Sequence, residues 1–115
     1  MVQQMDLRLF EKVTEKEDQI ILLDFYTDWC LPCRYSSPKF EKLSHKYPQA
    51  KFYKINADKE MLLAGKFSVS GVPAFFILRG KKITGKVLGA DLEKLETLIK
   101  KELGIKDEEN DFLYL

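Results

Sequence analysis

Hydrophobic positions along the chain change their period several times, and each change marks an element. Leu7, Phe10 and Val13 recur at helical spacing among charged neighbours. Residues 20–26, Ile-Ile-Leu-Leu-Asp-Phe-Tyr, then form a nearly continuous apolar run, the pattern of a central strand buried on both faces. Only Asp24 interrupts it. From about residue 31 to 46 the helical period returns, with Phe40 and Leu43 on one face, until Tyr47-Pro48 stops it. Pro38 is expected to kink that helix. Residues 52–56 alternate as a half-buried strand does, and residues 61–67 read as a short helix ending near Ser70-Gly71. A second apolar run at 74–78 ends on Arg79-Gly80, a turn signal leading into a strand at 82–88, so the two form a hairpin. Leu92, Leu95, Ile99 and Leu103 mark one face of a closing helix, which Asp91 starts and Gly104 ends. The expected order is αβαβαββα, with a short strand at residues 2–5 ahead of it.

An alternating α/β pattern with no Gly/Ser-rich linker, repeat or low-complexity tract fits one domain, and 115 residues is too short for two ordinary ones. The expected domain spans 1–104. Residues 105–115 form an acidic and then apolar tail, read as a weakly packed terminus rather than a docking peptide. The 19 basic and 18 acidic residues are interspersed, so the chain carries no electrostatic footprint for nucleic acid or anionic membrane. No apolar run approaches the roughly 18 residues of a membrane span, and the N-terminus lacks the basic, apolar and small-residue order of a secretory signal. A cytoplasmic, monomeric protein is expected.

Both cysteines fall in Trp29-Cys30-Leu31-Pro32-Cys33, where a buried strand gives way to a helix. Residues three apart on a helical turn share a face, with a Cα separation of about 5 to 6 Å that suits a disulfide. A helix N-terminus favours anions, which selects Cys30, nearest that end, as the nucleophilic thiolate and leaves Cys33 to resolve the mixed disulfide. Pro32 suits the first helical turn, where its missing N–H removes nothing from the ladder. A lone CxxC could instead be half of a zinc site, but such a site needs two further ligands. The chain has no third cysteine and only one histidine, His45, which reads as part of a solvated helix face. No metal and no cofactor are expected.

Asp24 is the second informative residue. A carboxylate inside an apolar strand is desolvated, which raises its pKa and fits it to take the proton of Cys33, through water. The bland alternative is an aspartate facing solvent from a strand end.

Taken together, Asp24-Phe25-Tyr26, Trp29-Cys30-Leu31-Pro32-Cys33, Pro38, Lys54 and Gly71-Val72-Pro73 resemble the thioredoxin family, over roughly residues 2–103. The resemblance implies the thioredoxin fold, a five-stranded mixed sheet flanked by four helices. It also implies that Trp29 is the aromatic beside the active site, that Lys54 neighbours buried Asp24, and that Val72-Pro73 is a cis peptide facing the cysteines. There the backbone of Val72 would pair with an extended substrate segment. Pro73 taken alone would simply start the next strand. Gly89 resembles the family's glycine near the substrate groove, where a side chain would crowd the partner.

Leu31 departs from the glycine that typical thioredoxins carry before the proline. It gives a bulkier apolar rim that could alter partner choice, reductase docking or potential, or be a tolerated surface variation. Ala74 replaces the threonine common after the cis proline. The function implied is that of a thioredoxin-like protein-disulfide reductase, itself re-reduced by a flavin reductase or another dithiol donor. The alternatives are a thiol oxidase or isomerase, whose relatives usually carry histidine at the position of Pro32, and a thioredoxin-fold binding or chaperone subunit with secondary redox chemistry.

Overall fold

The structure, a computed structural model, describes residues 1–105. Its elements follow the order β1 (Val2–Gln4), α1 (Leu7–Val13), β2 (Ile20–Tyr26), α2 (Leu31–Lys46), β3 (Lys51–Asn56), α3 (Met61–Lys66), β4 (Ala74–Arg79), β5 (Lys82–Leu88) and α4 (Leu92–Leu103). The strands form one sheet in the order β1-β3-β2-β4-β5. β3 runs parallel to β1 and to β2, whereas β4 is antiparallel to both β2 and β5. The thioredoxin fold expected from the sequence is therefore present, with its five-stranded mixed sheet and four helices. The reading of residues 105–115 as a tail falls, beyond Ile105, outside the described residues.

Side chains alternate across a strand, so β2 feeds two separate cores. Ile20 and Leu22 point into one with Phe40 and Leu43 of α2, Phe52 of β3, Phe75 and Ile77 of β4, and Leu95 and Ile99 of α4. Ile21, Leu23 and Phe25 point into the other with Phe10 of α1, Ile55 of β3, Leu63 of α3, and Phe76 and Leu78 of β4. Edge-to-face aromatic pairs sit in both cores: Phe40 on Phe52 at 5.3 Å joins α2 to the sheet in the first, and Phe25 on Phe76 at 5.6 Å joins neighbouring strands in the second. By the same alternation Asp24 belongs to the row of Ile20 and Leu22, and its carboxylate faces the layer that α2 covers.

Helix ends carry the signals the sequence holds. Asp6 accepts from the Leu9 amide at 2.8 Å and Asp91 from the Lys94 amide at 3.0 Å, each a side-chain N-cap. After α4 the Gly104 and Ile105 amides return to the carbonyls of Lys101 and Lys100. α2 runs without a break through Pro38, whose ring nitrogen supplies no hydrogen to the turn before it.

The β4–β5 turn depends on Gly80. Its φ is +60°, and its amide donates to the Gln19 carbonyl at 2.9 Å, tying the hairpin to the loop before β2. A Cβ here would sit 2.8 Å from the Glu17 carbonyl oxygen and 2.9 Å from the Glu17 Cα. Gly80→Ala therefore meets both a left-handed backbone and a backbone clash, and is expected to cost about 2 kcal/mol or more, read as a lower urea midpoint at unchanged m-value.

Candidate active site

The C-terminal end of β2 leads through Thr27-Asp28-Trp29 to Cys30, which occupies the N-cap position of α2 in an extended conformation. Cys33 sits in the first turn, and the two are disulfide-bonded with Cα atoms 5.3 Å apart. The Cys33 amide donates to Cys30 Sγ at 3.2 Å, so the cysteine takes the place of the Ser, Thr or Asp that usually caps a helix. Both cysteines are buried, Cys30 at 3% exposure and Cys33 at 4%. Around Cys30 the surface is apolar and open: Trp29 is 72% and Leu31 68% exposed, and Pro32 is exposed beside them.

On the other side of the disulfide lies the loop before β4. The Val72-Pro73 peptide is cis, and the Val72 carbonyl oxygen is 3.6 Å from Cys30 Sγ. Val72 is half-buried and Pro73 buried. Gly89 closes this side, its amide donating to the Pro73 carbonyl at 2.9 Å. At φ +93° with nothing within 4 Å of a notional Cβ, Gly89 is required by its own backbone conformation and leaves open space in front of it.

Beneath Cys33 a cleft is lined by Asp24, Thr27, Arg34 and Lys54 among others. Asp24 is 4% exposed, and its Oδ1 has no hydrogen-bond partner. Lys54 is Asp24's register partner on β3 and lies with its ammonium 5.8 Å from the centre of the Tyr26 ring. Burial pushes the Asp24 carboxyl up to about 7, against the opposing pull of the Lys54 charge. Thus Cys30, Cys33, Asp24, Lys54, Trp29, Leu31, Pro32, Val72, Pro73 and Gly89, scattered over much of the sequence, are gathered at one end of the sheet. His45 is far from it in role, lying exposed on α2 with Nε2 3.3 Å from Glu41 Oε2.

The family model for thioredoxin matches residues 1–101. The chain belongs to the thioredoxin family. It is 40% identical over 75 residues to Thioredoxin-1 of Saccharomyces cerevisiae, a match covering 65% of this chain and 73% of the relative. With Thioredoxin-1 of Schizosaccharomyces pombe it shares 34% identity over 76% of this chain and 84% of that one. Among solved structures, thioredoxin f2 of Chlamydomonas reinhardtii superposes with a TM-score of 0.84 at 30% identity, over 92% of this chain and 100% of the other. A thioredoxin f2 solved in complex with ferredoxin:thioredoxin reductase gives 0.80 at 33% identity, over 87% and 93%. The activity that follows is that of a thioredoxin-like protein-disulfide reductase, with the Cys30–Cys33 disulfide as its redox-active pair.

Two residues that sequence reasoning passed over organise the rim of this thioredoxin site. Trp29 Nε1 donates to Asp58 Oδ2 at 2.9 Å, which ties the exposed indole to the loop after β3. Asp58 is in turn set by Asn56, whose buried Oδ1 accepts from the Asp58 and Lys59 amides at 3.0 and 3.3 Å. An Asn-x-Asp turn at the end of a strand was the available signal. Only the fold says that the turn lies beside Trp29.

The raised Asp24 pKa fixes a sign for stability. The folded pKa of about 7 exceeds the reference value of 3.8, so ionising Asp24 weakens the fold. The penalty is absent below the reference value, grows across the interval and is complete above about 7. Replacing the carboxyl removes it: the stability of Asp24→Asn relative to wild type is expected to rise by about 2 to 3 kcal/mol between pH 5 and pH 8, measured by urea unfolding of the oxidised protein.

Proposed function

We propose that Cys30 is the attacking thiol and Cys33 the resolving thiol of this reductase. The Cys33 amide aimed at Cys30 Sγ from the first turn of α2 carries the reading, because in the dithiol form the same amide and helix terminus stabilise a thiolate on Cys30. That thiolate attacks one sulfur of a target disulfide, forming the Cys30 mixed disulfide and expelling the target's other sulfur as a thiolate, which takes its proton from solvent. Cys33 loses its proton, attacks Cys30 Sγ, closes the Cys30–Cys33 bond and releases the reduced target. Two electrons pass from the dithiol to the target, and no cofactor takes part.

Asp24 receives the Cys33 proton. It lines the same cleft as Cys33, and a carboxyl that titrates near 7 can both accept and return a proton at neutral pH. Lys54 opposes the desolvation of Asp24 and keeps that pKa from rising further. Trp29, Leu31, Pro32, Val72, Pro73 and Gly89 form the surface that a target covers. In this reading the Val72 backbone pairs with an extended target segment, and open space before Gly89 admits it.

The cycle returns through a reductase or dithiol donor that docks on the same rim. The similar thioredoxin f2 solved with ferredoxin:thioredoxin reductase supports a donor of that kind. A monomer in the cytoplasm is the setting we infer. No described helix is long and apolar enough to cross a membrane, although one relative is a mitochondrial thioredoxin and another a chloroplast one.

Two measurements test the assignment. Cys30→Ser is expected to lower dithiothreitol-driven reduction of a protein disulfide by about 100-fold or more, while Cys33→Ser accumulates a covalent mixed disulfide with the target. If Cys30→Ser accumulated the adduct instead, the roles would be reversed. Titration of the disulfide against glutathione is expected to give a potential near about −270 mV, the established figure for thioredoxin itself, carried over with family membership and not a consequence of the geometry above. A value near about −180 mV would mark an oxidase or isomerase, with Leu31 as the first residue to revert to glycine.

A further inference from the structure

The cleft beneath Cys33 holds a second orphaned polar group. Thr27 is 4% exposed, and its Oγ1, like Asp24 Oδ1, has no hydrogen-bond partner. These are the two buried side-chain atoms without a partner among the described residues, and both of their residues line one cleft together with Cys33. Leaving a buried polar group unpaired costs about 1 to 3 kcal/mol, and one water in the cleft that both residues line is a partner the two atoms can share. The cleft, of about 470 Å³, has ample room for a water molecule, and three polar partners suffice to order one.

We propose that Thr27 is a positioning residue for the reductase, its hydroxyl and the Asp24 carboxyl together holding the water through which the Cys33 proton travels. The proposal rests on the reading of Asp24 as the proton acceptor and adds the group that fixes the path. The thiol hydrogen of Cys33 passes to the water oxygen as the water gives a hydrogen to the Asp24 carboxylate. Cys33 is left as the thiolate that displaces the target sulfur from Cys30. The Thr27 hydroxyl neither gains nor loses a proton. It orients the water and is suited to that by carrying both a donor hydrogen and acceptor lone pairs. The other titratable groups of the cleft are Lys54 from β3, whose charge acts on Asp24, Tyr26 and Asp28 from the end of β2 and the loop after it, and Arg34 from α2. Tyr26 is engaged at its hydroxyl with Gln4, Arg34 with the Asp28 carbonyl, and the Asp28 carboxylate with Asn56.

Stopped-flow reaction of the reduced protein with one equivalent of a chromogenic aromatic disulfide separates the two steps. The first thiol released reports attack by Cys30 and the second reports resolution by Cys33. Thr27→Val keeps the shape and removes the hydroxyl. It is expected to leave the first phase unchanged, slow the second by about 3- to 10-fold at pH 7, and move the acid limb of the second phase to higher pH. Thr27→Ser is expected to restore both, and in an Asp24→Asn background Thr27→Val should have no further effect. If Asp24→Asn slows resolution while Thr27→Val matches wild type in rate and pH profile, Asp24 keeps its role and the proposal for Thr27 falls. The proposal also falls if Thr27→Ser fails to restore resolution or if the loss persists in the Asp24→Asn background, either of which marks a packing role. Resolution that is unaffected by Asp24→Asn removes the proton-acceptor reading, and Thr27's part with it.

Discussion

The site depends on β2 being hydrogen-bonded along both edges and buried on both faces. Strands β3 and β4 flank it, and two separate apolar cores press on it from above and below. A strand so enclosed has little freedom, and whatever follows its last residue is delivered to a fixed point at the rim of the sheet. That point is where Cys30 caps α2. The helix that follows is anchored further along by Phe40 and Leu43, both buried in the core. The thiol pair therefore sits on two rigid elements rather than on a loop, and can open or close with little backbone movement.

The same enclosure makes Asp24 costly. It continues the buried row of Ile20 and Leu22, next to a cross-strand lysine that offsets only part of its desolvation. A leucine in that position would continue the core. The structure thus accepts a destabilising, titratable group beside the disulfide, and two polar atoms of residues lining the adjoining cleft lack protein partners.

The rim around Cys30 is built differently. Trp29 and Leu31 are exposed because α2 begins at the surface, and the Val72-Pro73 segment comes from a remote loop to lie against Cys30. Asn56 and Asp58 add a third segment, bracing Trp29 through its indole N–H. Rim residues from three segments of the chain therefore meet because the sheet holds the ends of β2, β3 and β4 together.

The sequence by itself determined the elements, because hydrophobic period and local punctuation act over a few residues. Apolar runs at β2 and β4, the caps at Asp91 and Gly104, and the turn at Gly80 all lie where local chemistry put them. The cysteine pair was legible for the same reason, as its spacing and its place at a helix start are local facts. Lys54, Val72, Pro73 and Gly89 were reached through family resemblance, since nothing near them in the chain announces their neighbours. Tertiary structure alone decided that Lys54 stands across from Asp24, that Asp58 holds Trp29, and that Thr27 shares a cleft with Asp24 and Cys33. The first two are long-range consequences of strand register, and the third, though local in the chain, turns on how the chain bends from β2 into α2. The reason is physical: burial and electrostatic coupling depend on distance in space, and distance along the chain carries that information only within a turn or two.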